Sequence, residues 1–354
     1  MHRILVINPG STSTKVAVFE DNTPKDVFSI RHSVEELNQF LHVIDQFDFR
    51  YNLIMKLLIE QQIMLDFSVV MGRGGMMSPV KSGVYEINEK MLGTLRLAER
   101  GEHASNLGAF LADKIARQIP DCKAYIADPV SVDEFDEIAR ISGLPEFPRQ
   151  SIFHALNQKA AGRHHAKTVG KRYDELNLVI AHLGGGVSVG VHRKGKVVDV
   201  NQGLDGYGPF SPERSGTIDA GQLVKTCFSG QYTEEKLLRM LAGKGGLIAH
   251  LGSNDVQELV KKAENGDKKI TLTLQAMSYS IGKEIGAMLT VLCGDVDGVI
   301  LTGGVAFSHF VVNYIKKMIE PYARVFVYAG EDEMGALAAN AVRVSNGETI
   351  SLEF

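Results

Sequence analysis

The sequence predicts an α/β fold made of two similar lobes around a cleft. Helical and strand patterns alternate along almost all of the 354 residues, which indicates helices packed on sheets. A chain of this length usually forms about two domains. A unit of strand, small polar turn and strand occurs at Ile4–Phe19 and nearly repeats at Leu178–Val191. Asn8 and His182 hold the same place in the two copies, 174 positions apart.

The first lobe is predicted to span residues 1–150 and to begin with the two strands of this unit. Ser33–Glu36 is typical of a capping box, and the apolar spacing from there to Ile63 favours a helix. Beyond it we expect a buried strand, a helical region interrupted near Gly101, and a second buried strand, at Phe67–Met71, Asn88–Ile119 and Lys123–Ala127.

The second lobe, residues 151–333, is predicted to repeat this order after a compact hinge near residue 150. A helix near Ser151–Val169 leads into three strands, and a polar, glycine-rich stretch runs from Asn201 to Gly221. Helical patterns then dominate as far as Cys293. The five strands are expected at Leu178–His182, Val187–His192, Lys196–Val200, Gly298–Thr302 and Arg324–Tyr328. The terminal helix, about residues 334–354, is expected to pack back on the first lobe.

Composition excludes several classes of partner. The formal net charge of −4 gives no basis for binding nucleic acid or an anionic membrane. No apolar run reaches the ~18–20 residues of a membrane span, and the amino terminus lacks the apolar segment of a secretory signal. Cys122, Cys227 and Cys293 are far apart and are expected to be small buried residues. We therefore expect a cytoplasmic protein.

The first polar turn has the composition of a phosphate-binding turn. Backbone N–H groups of tight glycine- or serine-rich turns bind phosphate oxygens. Asn8–Ser13 supplies such a turn, with the hydroxyl groups of Ser11 and Ser13 as added donors and Lys15 as a cation. Asn-Pro-Gly is also a common hairpin turn, so this turn alone leaves both interpretations open.

The second turn strengthens the phosphate interpretation, because hairpins rarely need the three consecutive glycines Gly184, Gly185 and Gly186. A dinucleotide-binding G-x-G-x-x-G motif has to open a helix, whereas Val187–Val191 alternates with period two and predicts a strand. No Walker-type G-x-x-x-x-G-K-[ST] sequence occurs either.

A third glycine turn follows a predicted strand and is expected to open a helix. A nucleotide can lie against such a helix amino terminus, although a plain strand-to-helix connection is the alternative. The turn contains Gly303, Gly304, Val305 and Ala306.

Four side chains at predicted strand ends or in glycine-rich loops are candidates for chemistry. Arg73 lies among glycines, where no neighbouring side chain crowds its guanidinium, and Arg214 lies in the polar stretch of the second half. Asp128 ends a buried strand before a proline, so its carboxylate is expected to emerge at the sheet edge. His182 precedes a phosphate-type turn and is a catalytic candidate. Three other histidines lack metal-ligand spacing and are interpreted as surface or packing residues, namely His154, His164 and His165.

These motifs together resemble the acetokinase family, which comprises the acetate and butyrate kinases of the actin-like ATPase superfamily. Residues 7–15, Ile-Asn-Pro-Gly-Ser-Thr-Ser-Thr-Lys, are similar to the family's first signature, and residues 181–188 are similar to its second phosphate loop. The segments around Arg73, Asp128 and Arg214 follow in the family's order. Three segments resemble the butyrate branch more closely than the acetate branch, Val70–Gly75, Ala127–Ser131 and Gly330–Met334.

The resemblance implies two actin-like, ribonuclease H-like lobes around an inter-domain nucleotide cleft. It also implies reversible phosphoryl transfer from ATP to a short-chain fatty acid such as butyrate, giving an acyl phosphate and ADP, in a homo-oligomer of two or more copies. The alternative is a nucleotide-dependent binding or filament protein of the same fold, which would have no use for paired arginines at the cleft.

Roles for named residues also follow from the resemblance. Arg73 would hold the substrate carboxylate, while Arg214 and His182 would stabilise the transferring phosphoryl group. Asn8 and Glu331 would help to hold Mg²⁺, and the choice among the three acids at 331–333 stays open. Asp128 would act beside the metal or in proton handling. Contacts to ATP are implied for Ser11, Ser13, Lys15, Gly184, Gly185, Gly186, Gly303, Gly304, Val305 and Ala306.

Overall fold

A computed structural model describes residues 1–354, which divide into two compact units. The first unit contains Met1–Val132 and Asp332–Phe354, and the second contains Asp133–Glu331. No helix combines the length and the apolar character that crossing a bilayer requires.

The first unit is built on a six-stranded sheet in the order β3-β2-β1-β4-β6-β5. Its strands are β1 (Arg3–Pro9), β2 (Ser13–Glu20), β3 (Thr23–Arg31), β4 (Val69–Arg73), β5 (Val84–Glu86) and β6 (Lys123–Ala127). β1, β2 and β3 form an antiparallel meander, and β4 and β6 continue the sheet parallel to β1. The carboxyl ends of β1, β4 and β6 therefore meet at one edge of the sheet.

Helices cover this sheet and bury its apolar side chains. They are α2 (Phe47–Glu60), α3 (Glu89–Leu97), α4 (Leu107–Ala116) and α13 (Glu333–Ser345), whereas the short helix α1 (Val34–Leu37) contains no buried residue. Leu5 and Ile7 of β1 share a core with Ile54 of α2 and Leu111 of α4. α13 packs on β1, β4 and β6. Burial of β1 between helices explains why its apolar residues run continuously instead of alternating with polar ones.

The second unit repeats this architecture with a five-stranded sheet in the order β11-β10-β7-β8-β9. Its strands are β7 (Asn177–Leu183), β8 (Val187–Arg193), β9 (Lys196–Val200), β10 (Gly298–Gly303) and β11 (Val325–Ala329). β7, β8 and β9 form an antiparallel meander, while β10 lies parallel to both β7 and β11. The predicted duplication is thus visible as the same order of a meander followed by parallel strands.

Alternate residues of β7 enter different cores on the two faces of the second sheet. Val179 and Ala181 pack with the long helix α11 (Lys268–Val291), whereas Leu178 and Ile180 pack with Ala161 of α6 (Ala155–Thr168). The helices of this unit are α5 (Glu137–Arg140), α6 (Ala155–Thr168), α7 (Ala220–Cys227), α8 (Glu234–Leu241), α9 (Gly246–Leu251), α10 (Val256–Glu264), α11 (Lys268–Val291) and α12 (His309–Ile319).

Several expected elements differ from those observed. The capping box at Ser33 is present, but its helix ends at Leu37, and the segment up to Ile63 forms a 3₁₀ turn and α2 instead of one helix. The expected burial of all three cysteines is wrong, because Cys227 and Cys293 are exposed. Cys227 is the last residue of α7, which buries no residue, and Cys293 follows the end of α11.

Residues 133–150, assigned to the first lobe from the sequence, lie in the second unit. Ion pairs account for this position. The Lys159 ammonium lies 2.6 Å from the Glu134 carboxylate, and the Arg149 guanidinium lies 2.7 Å from the Asp199 carboxylate. Such pairs join residues distant in sequence, so local patterns did not reveal them.

Candidate active site

A cavity of about 280 Å³ opens in the first unit, where β1 and β4 end. Two cations, one carboxylate and the first phosphate-type turn face the same space. The lining consists of Asn8, Pro9, Gly10, Ser11, Ser13, Lys15, Arg73, His103, Ser105, Val130 and Glu333. Its chemistry suits an anion, because hydroxyl groups and cationic side chains converge there.

The turn after β1 places Ser11, Ser13 and Lys15 at this cavity. Lys15 lies opposite Asn8 in the β1–β2 register. Ser11 and Lys15 are exposed, and Ser13 is half-buried. The turn is therefore accessible, while the strands on either side are buried and fix its position.

Arg73, the last residue of β4, is buried, and its Nη1 donates a 2.6 Å hydrogen bond to Glu333 Oε1. The expectation of an uncrowded guanidinium is wrong, because α13 brings a residue 260 positions away onto Arg73. Asn8 Nδ2 donates to the other oxygen of Glu333, also at 2.6 Å. The three side chains form one hydrogen-bonded cluster at the cavity.

Two glycines, one in β4 and one in α4, lie in close contact and fix the position of Arg73. A Cβ atom at Gly72 would lie 2.2 Å from the Gly108 carbonyl oxygen, and a Cβ atom at Gly108 would lie 2.2 Å from the Arg73 carbonyl oxygen. Any side chain at either position would separate α4 from β4. The glycines therefore fix the distance between this helix and the strand that carries Arg73.

The three acids at 331–333 make different contacts. Glu333 shares the cavity with Asn8, whereas Asp332 caps α13 by accepting a hydrogen bond from the Gly335 amide at 2.7 Å. Glu331 belongs to the second unit, where its Oε2 lies 3.3 Å from both Asn157 Nδ2 and His182 Nε2. Glu333 is thus the acid that accompanies Asn8, while the sequence favoured Glu331.

Asp128 follows β6, and its carboxylate is buried. The expected emergence at the sheet edge is wrong, because Oδ1 accepts hydrogen bonds from Ser82 Oγ at 2.6 Å and from the Gly83 amide at 2.9 Å. Asp128 is also absent from the cavity lining. In this structure it fixes the loop before β5, and a role in metal or proton chemistry stays a prediction.

In the second unit, the glycine turn after β7 packs directly against the loop that carries Arg214. The Gly185 carbonyl accepts from Ser211 Oγ at 2.6 Å and from the Glu213 amide at 3.0 Å. A Cβ atom at Gly185 would lie 2.9 Å from the Glu213 carboxyl carbon. These two hydrogen bonds place Gly184–Gly186 beside the Arg214 loop.

Not all N–H donors of the Arg214 guanidinium are hydrogen-bonded within the protein. Its Nη1 lies 3.3 Å from Glu213 Oε2, while its Nε is buried and makes no hydrogen bond within the protein. A buried donor without an acceptor is costly, so an anion that accepts from it would be stabilised.

His182 is buried at the end of β7 and stacks on His154, with ring centroids 4.2 Å apart. This stacking agrees with the interpretation of His154 as a packing residue. Its Nδ1 lies 2.9 Å from Ser188 Oγ, and Ser188 is the β8 residue opposite His182 in the register. The β7–β8 pairing therefore positions both rings. His165 does pack as expected, against Phe326.

The third glycine turn follows β10 but opens a 3₁₀ helix, Gly304–Phe307, and α12 begins only after Ser308 caps it. The turn therefore opens a helix as predicted, but this helix is a short 3₁₀ helix and not α12. Gly304 is exposed, whereas the side chains of Val305 and Ala306 are buried, so only their backbone can contact a ligand. A Cβ atom at Gly303 would lie 2.3 Å from the Leu183 carbonyl oxygen, which places this turn beside the end of β7.

The residues that line the first cavity suit a metal ion that binds together with a substrate. The structure contains no cluster of three or more His, Cys, Asp or Glu side chains able to hold a metal ion. Asn8 and Glu333 offer an amide oxygen and carboxylate oxygens at the first cavity. Mg²⁺ commonly binds through one or two carboxylates together with substrate phosphates, and this donor set fits that mode.

Comparison with known proteins decides the family. The model of the acetokinase family matches residues 148–321. A probable butyrate kinase of Bacteroides thetaiotaomicron is 51% identical over 346 residues, which are 98% of this chain and 98% of that protein. The chain belongs to the acetokinase family. Butyrate kinase 1 of Clostridium acetobutylicum is 49% identical over the full length of both chains.

A solved structure shows the same fold. Acetate kinase of Porphyromonas gingivalis matches with a TM-score of 0.78 and 19% identity, over 98% of this chain and 100% of that one. The predicted family, the actin-like two-lobe fold and the enzyme class, a kinase with a carboxyl group as acceptor, are confirmed at this level. The shared nucleotide cleft and the residue roles stay predictions.

Sequence reasoning left Glu333 as one of three candidate acids, and it missed one site residue, His154, and one supporting residue, Arg50. His154 and Glu333 were visible as polar residues, but only the fold places them on His182 and Arg73. Arg50, in α2, contacts the phosphate-type turn and gave no sequence signal, because an arginine in an amphipathic helix is normally a solvated surface residue.

Proposed function

We propose that this member of the acetokinase family transfers the γ-phosphoryl group of ATP reversibly to butyrate, forming butyryl phosphate and ADP. One observation carries the proposal: Arg73 and the phosphate-type turn line the same cavity, so a carboxylate and a phosphate group have adjacent binding groups. The 51% and 49% identity to butyrate kinases supports butyrate as the acid.

The reaction needs positioning and charge stabilisation more than acid–base chemistry. A carboxylate oxygen of butyrate attacks the γ-phosphorus, and the bond from that phosphorus to the bridging oxygen breaks, leaving the electron pair on ADP. Butyrate is ionised at neutral pH, so no proton has to be removed. The protein has to bring two anions together and stabilise the charge on the group in transfer.

In the first unit, Arg73 holds the butyrate carboxylate. Its contact with Glu333 supports this role, because Arg73 already binds a carboxylate in this cavity through Nη1 alone. A guanidinium carries further N–H donors in a planar fork, which remain available to a second anion. Lys15 and the hydroxyl groups of Ser11 and Ser13 contact ATP phosphates.

In the second unit, Arg214 and His182 stabilise the phosphoryl group in transfer. The buried Nε of Arg214 without an acceptor supports this assignment, because a phosphoryl oxygen would accept from it. The backbones of Gly184–Gly186 and Gly303–Ala306 contact ATP.

Mg²⁺ supplies charge neutralisation on the phosphates when it is bound with ATP. We propose that Asn8 and Glu333 hold it from the first unit, since both line the cavity there. Glu331, the acid favoured by the sequence, is the alternative ligand, and Asp128 would act on the metal's surroundings through the loop it fixes. Lys15 and Arg73 keep the cavity attractive to the phosphates that carry the metal.

A direct assay for acyl phosphate tests the reaction. The enzyme is incubated with ATP, Mg²⁺ and each of acetate, propionate, butyrate, isobutyrate and valerate, and the product is trapped with hydroxylamine. One methylene in an apolar pocket changes discrimination by only about 1–3 kcal/mol, so a graded preference centred on butyrate is expected. ATP hydrolysis that needs no acid and gives no trapped product would instead indicate a binding or filament protein.

We also propose that the protein is a homo-oligomer that associates through an arm formed by residues 217–244. Its two helices, α7 and α8, contain no buried residue, although Val224, Phe228 and Leu238 are apolar and are 55%, 87% and 48% exposed. A standard interface takes about 20–30 residues from each partner, which is the length of this arm. Side chains of both charge signs surround the apolar ones, which suits contact with a second copy.

The oligomer is tested by sedimentation of Phe228→Glu beside the wild type. We expect a smaller assembly for this variant. Phe147→Glu is the matched control, because Phe147 is also an exposed phenylalanine of the second unit but lies outside the arm. An unchanged assembly for Phe228→Glu, or an equal loss for Phe147→Glu, would show that the arm is not the contact surface.

A further inference from the structure

Arg50 of α2 is only 1% exposed, and its guanidinium lies against the carbonyl groups of the phosphate-type turn. Nη1 donates to the Gly10 carbonyl at 2.8 Å and to Thr14 Oγ1 at 3.0 Å. Longer contacts reach the carbonyls of Ser13 and Ser11, at 3.3 and 3.4 Å. The buried Arg50 side chain thus donates hydrogen bonds to most of the carbonyl groups of the turn.

The Arg50 guanidinium has no anionic partner within the protein. Its remaining contacts, 3.1 and 2.8 Å from Nε and Nη2, go to the neutral amide oxygen of Gln46. Burial lowers the pKa of Arg50 to about 10, so the group is still charged at neutral pH. A buried cation without a counter-charge is costly, and an anion bound nearby would reduce that cost.

The same contacts decide which groups of the turn remain available. The Thr12 carbonyl accepts from the His32 amide at 2.9 Å, and the Ser13 carbonyl also accepts from the Gly10 amide at 2.7 Å. The amides of Ser11 and Thr12, which are both exposed, donate to no acceptor in the protein. Occupied carbonyls beside unoccupied amides are the arrangement by which backbone turns bind anions.

We propose that Arg50 is a positioning residue for ATP. It holds the turn's carbonyl groups so that the amides of Ser11 and Thr12 face the phosphates, and it adds an uncompensated positive charge behind them. The inference rests on the proposed function for the identity of the phosphate donor. It does not require Arg50 to touch the nucleotide.

The test compares Arg50→Met, Arg50→Lys and Ile54→Ala. Ile54 is one helical turn beyond Arg50 in α2 and is fully buried in the core, so its variant reports destabilisation of the same helix without a change at the turn. For each protein the Kd for ATP is measured by calorimetry, and KM for ATP, KM for butyrate and kcat are measured at steady state.

For Arg50→Met we expect a rise of about 10- to 100-fold in Kd and KM for ATP, with KM for butyrate within twofold of the wild type. Arg50→Lys keeps the charge but cannot span the acceptors, so a smaller rise is expected. Ile54→Ala should lower the Tm and leave both KM values unchanged. If Arg50→Met leaves the Kd for ATP unchanged, or if Ile54→Ala raises the KM for ATP as much as Arg50→Met does, Arg50 has only a structural role.

The calorimetric measurement of ATP binding distinguishes the proposal for Arg50 from the proposed kinase reaction. Should the wild type bind ATP but form no acyl phosphate, the proposed reaction is wrong, and the Arg50 variants still report on the turn. If Arg50→Met does not fold, Arg50→Lys tests the role of Arg50, and its Kd for ATP has to rise.

Discussion

Replacement of Arg73 by methionine keeps much of the side-chain volume and removes the cation from the Glu333 carboxylate. At 2.6 Å and an effective dielectric constant of 20, the attraction in this pair is about 6 kcal/mol. Desolvation of both charges offsets a large part of it, and loss of one partner of a buried pair typically costs about 3–5 kcal/mol. Because the Glu333 side chain is 23% exposed, water can solvate it in part. We therefore expect a loss near the lower end, about 3 kcal/mol.

The functional effect should be larger for the acid than for the nucleotide. Charge-assisted hydrogen bonds contribute about 1.5–3 kcal/mol each, which corresponds to a rise of about 10- to 100-fold in KM for butyrate. Steady-state kinetics with hydroxylamine trapping measures this rise, while urea unfolding followed by circular dichroism measures the stability. KM for ATP should change much less.

A double variant separates these two effects. In Arg73→Met with Glu333→Gln, the carboxylate left without its arginine is replaced by a neutral amide that can still accept from Asn8. We expect recovery of about 2 kcal/mol of stability relative to Arg73→Met, with no recovery of KM for butyrate. An unchanged KM for butyrate in Arg73→Met would refute the assignment of Arg73 to the substrate carboxylate. Failure of the double variant to regain stability would refute the energetic account of the pair.

Three further predictions follow from other contacts. Arg214→Ala should lower kcat by about 10²–10³-fold with an unchanged Tm, as for loss of one charge-stabilising donor, and near-normal turnover would contradict its role. Gly108→Ala places a Cβ atom 2.2 Å from the Arg73 carbonyl oxygen and should lower the free energy of unfolding by about 2 kcal/mol or more while raising KM for butyrate. Gly93→Ala in α3, where a Cβ atom meets nothing within 4 Å, is its control and should be neutral or stabilising. Burial, and secondarily Arg50, lowers the pKa of His32 to about 4 in the folded protein. As pH falls, His32 is therefore protonated in the unfolded chain at a higher pH than in the folded protein, and stability is lost between about pH 6.5 and pH 4. At pH 5 the loss due to His32 should be about 2 kcal/mol, and His32→Gln should reduce the difference in unfolding free energy between pH 7 and pH 5 by that amount.

The fold class could be predicted from local patterns, because period-two and helix-type spacing record burial directly. Lys123–Ala127 and Lys196–Val200 were predicted with the bounds observed. The segment from Ser33 to Ile63 was not, since its apolar residues keep a helical spacing across a break that the packing of α2 imposes. Residues 133–150 were placed in the wrong unit for a related reason: ion pairs with Lys159 and Asp199 have no local signature.

The sequence by itself determined the duplicated strand–turn–strand unit, the family and the strand ends that carry Asn8, Arg73 and His182. These features depend on residue type and spacing along the chain. Only the tertiary structure decided what each side chain meets. It put Glu333 on Arg73, His154 on His182 and Arg50 behind the first turn, because those contacts join elements 260, 28 and about 40 positions apart. The repeated turns therefore predicted phosphate binding, and the fold supplied the groups that hold and orient them.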